Sequence, residues 1–194
     1  RKVKENYELL ISLGYNKEEV IKMTKSLPAI YGYSVENIKQ KIENMKELGY
    51  SLEEIIKMTK SLPSIYSHSI ENIKQKIEDM EKLGYSREEV IKMTKSLPSI
   101  YSLSIENIKQ KIEDMKELGY SREEVIKMTK SFPTIYGYSI ENIKQKIEDM
   151  EKVGYSREEV IKMTKSKPAI YGYSIENIKQ KIEDMEELGY SREE

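Results

Sequence analysis

Asparagine and lysine recur together every 35 residues, in a pattern that would suit a row of phosphate groups. In each pair the Lys follows the Asn by four residues, and a Ser typical of a helix start stands just before. A helix N-terminus offers free N–H groups and a partial positive charge, and both favour phosphate. The pairs are Asn37 and Lys41, Asn72 and Lys76, Asn107 and Lys111, Asn142 and Lys146, and Asn177 and Lys181.

The same lysines have a second interpretation, as solvated residues that pair with nearby acids such as Glu36 and Glu43. Charge runs on a helix are often simply its exposed face. The chain has 33 Lys and Arg against 34 Asp and Glu, for a net charge of -1. Since nucleic-acid binders are more often basic, this balance does not favour a nucleic-acid partner, but a local stripe of lysine would still allow one.

A second set of candidates comprises positions that differ between copies. They cluster between the two helices of each repeat, in a stretch called here the connector (27–33, 62–68, 97–103, 132–138 and 167–173). One interpretation is a base-reading residue per repeat, as in modular nucleic-acid codes; the other is neutral variation in a surface loop. Lys167 replaces a recurring Leu, so its site must reach solvent or an anion. The variable residues are Leu27, Leu62, Leu97, Phe132 and Lys167 at the first position, and Tyr33, His68, Leu103, Tyr138 and Tyr173 at the last.

The elements that position these residues can be seen in the copy at residues 15–49. Asn16 followed three residues later by Glu19 forms a capping box, which predicts a helix from Lys17 to about Leu27. Pro28 ends that helix, because the residue before a proline is pushed out of the helical region. Tyr15 stands before the cap, where we expect it to pack as a hydrophobic staple.

A second helix begins after Ser34 and ends at Gly49, which supplies the left-handed stop. Its apolar residues follow helical spacing and predict one buried face. The methionines of both helices are better explained as core than as a groove for varied partners. The apolar residues of this face are Val35, Ile38, Ile42 and Met45.

A repeat of this length predicts an all-α tandem-repeat solenoid, in which each unit is buried against its neighbours. No strand pattern is present in the sequence. The expected organisation of residues 1–194 is a single array with a partial repeat at 1–14 and the start of a further repeat at 190–194. The full repeats are 15–49, 50–84, 85–119, 120–154 and 155–189.

Enzyme chemistry is not expected. The chain has no Cys, and its single histidine, His68, has no metal-ligand spacing around it. Neither a P-loop nor a dinucleotide fingerprint is present. We therefore expect no catalytic residue, cofactor, metal or small-molecule substrate. No apolar run reaches membrane-spanning length and no signal segment is visible, so a membrane partner is not expected either.

The full pattern of one copy resembles the mTERF (mitochondrial transcription termination factor) repeat family. It is S-x-E-E-V-I-K-M, then P-x-I, then S-x-E-N-I-K-x-K-I-E-x-M, then L-G, and it covers essentially the whole chain. The resemblance implies two α-helices and a short third helical turn per unit, stacked into a superhelix. The matching residues of the third copy are Ser86, Glu89, Val90, Met93, Pro98, Ile100, Ser104, Asn107, Ile108, Ile112, Met115, Leu118 and Gly119.

Membership would imply an organellar protein, of mitochondrion or chloroplast, that binds double-stranded DNA, or RNA in some cases, and regulates transcription, translation or ribosome assembly. TAL-effector repeats are similar in architecture only, because their glycine pair is replaced here by Pro and Ile. The copies are nearly identical, which indicates recent duplication or a consensus design. The alternative function is therefore a structural solenoid, or one that binds a protein or peptide in its concave groove.

Overall fold

The structure is a computed structural model that describes residues 2–191. Arg1 and residues 192–194, which the sequence assigns to the flanking partial repeats, lie outside the described residues. The described part of the chain is all-α, with eleven α-helices, five short 3₁₀ helices and no strand, so the predicted fold class is confirmed. The α-helices are α1 (Lys2–Leu13), α2 (Lys17–Ser26), α3 (Val35–Leu48), α4 (Leu52–Ser61), α5 (Ile70–Leu83), α6 (Arg87–Ser96), α7 (Ile105–Glu117), α8 (Arg122–Ser131), α9 (Ile140–Lys152), α10 (Arg157–Ser166) and α11 (Ile175–Glu187).

The chain divides into two compact units, the first ending at Ile105 and the second beginning at Glu106. The division falls inside α7 and does not coincide with a repeat boundary, so the boundaries drawn from the sequence stay a prediction. Both units use the same succession of a ten-residue helix, a 3₁₀ helix and a helix of 13 or 14 residues. The 3₁₀ helices are Pro28–Gly32, Pro63–Ser67, Pro98–Ser102, Pro133–Gly137 and Pro168–Gly172.

Each first helix begins with the predicted capping box. The N–H of Glu19 donates to Asn16 Oδ1 at 2.9 Å, and the N–H of Asn16 donates to Glu19 Oε2 at 2.8 Å. A Ser and a Glu form the same reciprocal pair at the start of α4, α6, α8 and α10. The helix ends at Ser26, one residue earlier than expected, because Leu27 already has an extended φ of -132° ahead of the proline.

The second helix of the first complete repeat is fixed at its two ends in the way the sequence predicts. Ser34 Oγ accepts the N–H of Asn37 at 3.1 Å, and α3 ends at Gly49 with φ 114°. A left-handed residue of this kind closes the last turn with little strain only when it has no side chain. The connector is held between the end of α2 at Ser26 and the Ser34 cap of α3.

The core of each unit is a ladder of isoleucine and methionine. Like helices of successive repeats are in contact, α3 with α5 in the first unit and α9 with α11 in the second. Burial of each Ile is worth about 1.5–3 kcal/mol, against about 0–1 kcal/mol for an exposed ion pair, so the ladder supplies most of the stability. No helix within residues 2–191 is long and apolar enough to cross a membrane. Residues of the ladder that are at most 3% exposed include Ile38, Ile42, Met45, Ile73, Ile77, Met80, Ile108, Ile112, Met115, Ile143, Ile147 and Met150.

Candidate nucleic-acid interface

A shallow groove forms where the connector meets the start of the second helix. In the first unit it has a volume of about 270 Å³, and Tyr33, Asn37 and Lys41 all line it. The same positions line two grooves of the second unit, of about 270 Å³ and 320 Å³. The structure thus brings together residues that the sequence singled out separately, the Asn–Lys pair and the last connector position. The lining residues of the second unit's grooves include Tyr138, Asn142 and Lys146 in one and Tyr173, Asn177 and Lys181 in the other.

The lysine amines make a contact that the sequence did not predict. Lys41 Nζ donates to the backbone carbonyl of His68, in the connector of the next repeat. An ammonium has three N–H donors, so two stay available for another acceptor. Burial lowers the pKa of Lys41, which is about half-buried. The equivalent bonds join Lys76 to Leu103, Lys111 to Tyr138 and Lys146 to Tyr173.

Lys181 is arranged differently. Its Nζ lies 5.0 Å from the centre of the Tyr173 ring, in the range of a cation–π contact. Its amine is exposed rather than half-buried. This lysine is therefore the one of the predicted set whose charge is most accessible to an anion.

The helix start offers less to a phosphate than the sequence suggests. The Ser cap already accepts the N–H of the Asn in α3, α5, α9 and α11, at 3.1 Å in each case. A phosphate there would meet the Asn side chain instead of its backbone N–H. The Asn–Lys pairs Asn72–Lys76 and Asn107–Lys111 stand at the same positions of α5 and α7.

Residues of successive connectors contact one another. Tyr33 Oη donates to Ser67 Oγ at 3.1 Å, and His68 Nε2 lies 3.5 Å from Ser102 Oγ. The last position of one connector thus meets the next-to-last position of the following one. A change at one of these two positions would therefore alter a contact of the other, which a one-residue code does not require.

In the second unit the equivalent positions, Tyr138 and Gly172, also lie close together. A Cβ placed on Gly172 would lie 3.3 Å from Phe132 Cζ and 3.4 Å from Tyr138 Oη, closer than most side-chain contacts. The rings of Phe132 and Tyr138 lie 6.4 Å apart, centre to centre.

The first connector position differs in burial between repeats. Lys167 is exposed, whereas the other four residues at this position are half-buried, namely Leu27, Leu62, Leu97 and Phe132.

His68 is held in a neutral state by its surroundings. Burial lowers its pKa first, and the positive charges of Lys41 and Lys76 lower the pKa further. An approaching anion would reverse the effect of these charges, since a negative group favours the protonated imidazole.

The sequence of the chain also matches a known protein family. The mTERF family model matches residues 1–82, 36–149 and 74–187, which overlap and cover nearly the whole chain. The chain belongs to the mTERF family. The resemblance drawn from the repeat is therefore confirmed. Members of this family are generally nucleic-acid-binding repeat proteins and typically have no enzymatic activity. No curated protein is similar enough to this chain to count as a match.

One feature of the grooves is unfavourable for the ligand typical of mTERF proteins. Asp149 lines a groove of the second unit, and its Oδ1 accepts a bond from Gln145 at 2.9 Å. That bond and Lys152 lower the pKa of Asp149, which keeps the carboxylate charged at neutral pH. In the first unit this position is Asn44 in one repeat, which accepts the same bond from Gln40 without a charge, and Asp79 in the next, which accepts it from Gln75.

Two further contacts between repeats of this mTERF chain were not predicted. Tyr15 Oη is hydrogen-bonded to Thr59 Oγ1 and, at 3.0 Å, to Tyr66 Oη of the next repeat. Glu19, already in the capping box, forms an ion pair with Lys60 at 2.7 Å. The same ion pair recurs at 2.8 Å between Glu54 and Lys95 and between Glu124 and Lys165.

Metal binding finds no support within residues 2–191. No group of three or more His, Cys, Asp or Glu residues there is arranged so that it could hold an ion. The groups that line the grooves and could bind a ligand are amides, amines, hydroxyls and the carboxylate of Asp149.

Proposed function

We propose that this mTERF-family chain binds nucleic acid through its repeated grooves, with double-stranded DNA favoured and RNA as the alternative. The recurrence of the same donors in the grooves of both units carries the proposal. Each groove combines an Asn amide, a Lys amine and a Tyr hydroxyl, all of which can bond phosphate oxygens. Each of the five Asn–Lys pairs would contribute one backbone contact, and the contributions would add. No catalytic role is part of this proposal.

The connector residues would supply whatever discrimination between sequences exists. Tyr33, Tyr138 and Tyr173 border the grooves, where an aromatic ring can stack on a base. Because Tyr33 and His68 each contact the next connector, the element that reads a base there would be a pair of residues from adjacent repeats. Changing His68 or Lys167 should therefore alter preference among sequences rather than weaken binding uniformly.

The proposal is tested by fluorescence-anisotropy titration of labelled duplex and single-stranded oligonucleotides at two salt concentrations. Five phosphate contacts predict a slope of log affinity against log salt of about -4 to -5 on a duplex. Absence of binding to every oligonucleotide at low salt would remove the nucleic-acid hypothesis.

Single substitutions test which side chains contact the nucleic acid. Asn37→Ala, Asn142→Ala and Asn177→Ala should weaken binding without changing thermal stability, since these exposed side chains are not part of the core. Lys41→Ala should also weaken it, but this amine bonds a backbone carbonyl, so its effect on stability must be measured as well. Lys39→Ala is the matched control, because Lys39 is exposed on the other flank of the same helix.

The single histidine provides a direct probe. NMR titration of the imidazole follows one residue, because His68 is the only His in the chain. Its lowered pKa should rise when an oligonucleotide is added, since phosphate charge offsets Lys41 and Lys76. An unchanged pKa in the presence of saturating oligonucleotide would place the ligand elsewhere.

A second candidate function is a structural solenoid or one that binds a protein or peptide. The charged Asp149 in a groove and the net charge of -1 favour it. A basic peptide would be attracted by this carboxylate, whereas a phosphate would be repelled.

Family membership also supports an organellar site of action, in the mitochondrion or chloroplast. Immunolocalisation of the endogenous protein would check this.

A further inference from the structure

Each second helix carries one glutamine that the proposed function does not use. Its side chain donates a hydrogen bond to the residue one helical turn later, as Gln145 Nε2 does to Asp149 Oδ1 at 2.9 Å. The same bond recurs in all five second helices, at 2.8–3.0 Å. The other pairs are Gln40 with Asn44, Gln75 with Asp79, Gln110 with Asp114 and Gln180 with Asp184.

This bond fixes which way round the glutamine amide lies. The bonds from Gln145 and Lys152 lower the pKa of Asp149, so its carboxylate stays ionised at neutral pH. A carboxylate accepts hydrogen bonds and cannot donate them, so the NH2 group of Gln145, and not its oxygen, must face Asp149. One N–H of that group and the Oε1 atom are left over, and within residues 2–191 neither has another hydrogen-bond partner.

The residue that receives the bond varies, but its acceptor does not. Asn44 stands where the other four helices have Asp, and its Oδ1 still accepts the bond from Gln40 at 2.9 Å. A pair with this spacing on an exposed helix surface contributes little to helix stability by itself. The orientation that the bond gives to the glutamine is therefore its more important consequence.

The glutamine also lines the groove that we assign to nucleic acid. Gln40 lines the groove of the first unit, and Gln145 and Gln180 line the two grooves of the second unit. In each case the Asn of the groove lies three residues earlier and the Lys one residue later. All five glutamines are exposed, so a base held near the groove could reach the free edge of the amide.

The two free groups of the amide match the major-groove edge of adenine. Adenine presents an N6 amine that donates and an N7 atom that accepts, and a glutamine amide can bond both at once. At the same edge guanine presents two acceptors, cytosine one donor, and thymine an acceptor and a methyl group. An amide held with one acceptor and one N–H free therefore favours adenine over the other three bases.

We infer that the glutamine of each second helix reads adenine in the major groove of duplex DNA, held in orientation by the Asp or Asn one turn later. This inference rests on the proposed function and extends it, because it assigns part of the discrimination between sequences to the second helices and not to the connector alone. Gln145 contacts the base, and Asp149 is a positioning residue. Asp149 thereby has a role in binding DNA that its charge alone does not suggest.

Replacement of adenine by 7-deazaadenine tests the contact, because it removes the N7 acceptor and keeps the base pair. The probes are two labelled duplexes of alternating dA and dT, one with adenine and one with 7-deazaadenine, titrated by fluorescence anisotropy at low salt. Every base pair of such a duplex contains an adenine, so each glutamine meets one in any register. The unmodified chain should bind the adenine duplex about tenfold more tightly, because the analogue removes one of the two bonds to the amide.

The two ways in which this comparison can fail are distinguishable. Equal affinity for the two duplexes would overturn the inference and leave the proposed function standing. Absence of binding to either duplex would overturn the inference together with the duplex part of the proposed function. The matched control is an alternating dG and dC duplex with and without 7-deazaguanine, and an equal loss there would also overturn the inference, since the loss would not depend on adenine.

Substitution of the glutamines tests whether they are the readers. The ratio of the affinities for the adenine and 7-deazaadenine duplexes cancels any effect of a variant on its folded fraction. Gln145→Ala should lower this ratio, and the combined substitution of all five glutamines should bring it to about one. Lys144→Ala is the matched control, because Lys144 is exposed beside Gln145 and its loss should leave the ratio unchanged. The five substitutions are Gln40→Ala, Gln75→Ala, Gln110→Ala, Gln145→Ala and Gln180→Ala.

The same ratio tests the positioning role of Asp149. Asp149→Ala should lower the ratio as much as Gln145→Ala does, because it frees the amide to rotate. Asp149→Asn should restore the ratio, since Asn keeps the acceptor in the way that Asn44 does for Gln40. Equal ratios for the Ala and Asn variants would contradict the positioning role, and a ratio that survives the combined glutamine substitution would overturn the inference as a whole.

Discussion

The hydroxyl of Tyr50 lies 2.6 Å from that of Tyr101 and 2.5 Å from Oγ1 of Thr94. Thr94 in turn donates to the carbonyls of its own helix, at 3.0 Å from Val90 and 2.9 Å from Ile91. Because the relay must end on a carbonyl, Tyr101 donates to Tyr50 and Tyr50 donates to Thr94. The buried hydroxyl of Thr94 is thus hydrogen-bonded by Tyr50 of the preceding repeat. This relay fixes the register in which the two repeats stack.

The first prediction concerns this relay. Tyr50→Phe should lower the free energy of unfolding by about 1–3 kcal/mol, because it leaves buried hydroxyls without their partner. Thr94→Val should lower the free energy of unfolding less when Tyr50→Phe is already present than when it is made alone, since both substitutions remove the same interaction. Urea unfolding followed by circular dichroism measures both. Tyr33→Phe is the control, because its hydroxyl bond is exposed and its loss should cost less than about 0.5 kcal/mol.

The second prediction concerns alkaline pH. Burial raises the pKa of Tyr15, Tyr50, Tyr66, Tyr101, Tyr120 and Tyr171. A raised folded pKa means that stability is complete below the unfolded value of about 10 and is lost as pH rises above it. The ultraviolet absorbance of these tyrosinates should therefore appear together with loss of helical circular dichroism. Ionisation of all tyrosines in a chain that keeps its full helical signal would contradict the relay.

Much of the fold could be predicted because its signals are local. A cap and its Glu lie three residues apart, the ladder follows the helical period, and Gly49 stands one residue past the last apolar position. The Tyr15 relay was missed because its partners are 44 and 51 residues away, a distance that depends on how repeats stack. A recurring Thr on an apolar face was nevertheless a usable signal, since a buried hydroxyl needs a partner.

The candidate site was predicted less completely. The Asn–Lys pairs and the last connector position follow from spacing and variability, but their meeting in one groove does not. The bond from Lys41 to the carbonyl of His68 has no sequence signature, because every residue carries the same backbone acceptor. The coupling of His68 to Ser102 depends on the offset between adjacent connectors, which no single repeat contains.

The third prediction concerns acid. Lys95 first, and then the capping bond to Ser51, lower the pKa of Glu54. Stability from a lowered carboxyl pKa is present above the unfolded value and lost as pH falls through the folded value. Lys95→Met should therefore destabilise the chain at about pH 7, and the difference from the unmodified chain should shrink toward about pH 3. Urea midpoints at the two pH values measure this.

The control for the third prediction lies on the same helix. Lys92 is exposed, and no described acid pairs with it, so Lys92→Met should change the midpoint little at either pH. A loss of stability in Lys95→Met that does not change with pH would mean that its aliphatic stem, rather than its charge, stabilises the interface.

The fourth prediction separates two glycines of one repeat. Gly49 has φ 114°, so Gly49→Ala should lower the free energy of unfolding by about 1–2 kcal/mol through backbone strain alone, since no atom crowds the added Cβ. Gly32 has neither a left-handed φ nor a neighbour within 4 Å of an added Cβ. Gly32→Ala should therefore be neutral or stabilise by up to about 1 kcal/mol. Thermal unfolding of the two variants makes the comparison.

The last prediction distinguishes the two candidate ligands. Asp149→Asn removes a carboxylate from a groove while keeping an acceptor for Gln145, as Asn44 does naturally for Gln40. For a nucleic acid this change should raise affinity by about threefold to tenfold at low salt, because it removes the repulsion between the carboxylate and a phosphate. The gain should be smaller at high salt, where counterions screen that repulsion. Asn44→Asp should lower affinity by a similar factor. A basic peptide should respond in the opposite direction to both changes, so one pair of anisotropy titrations assigns the ligand class by the sign of the effect.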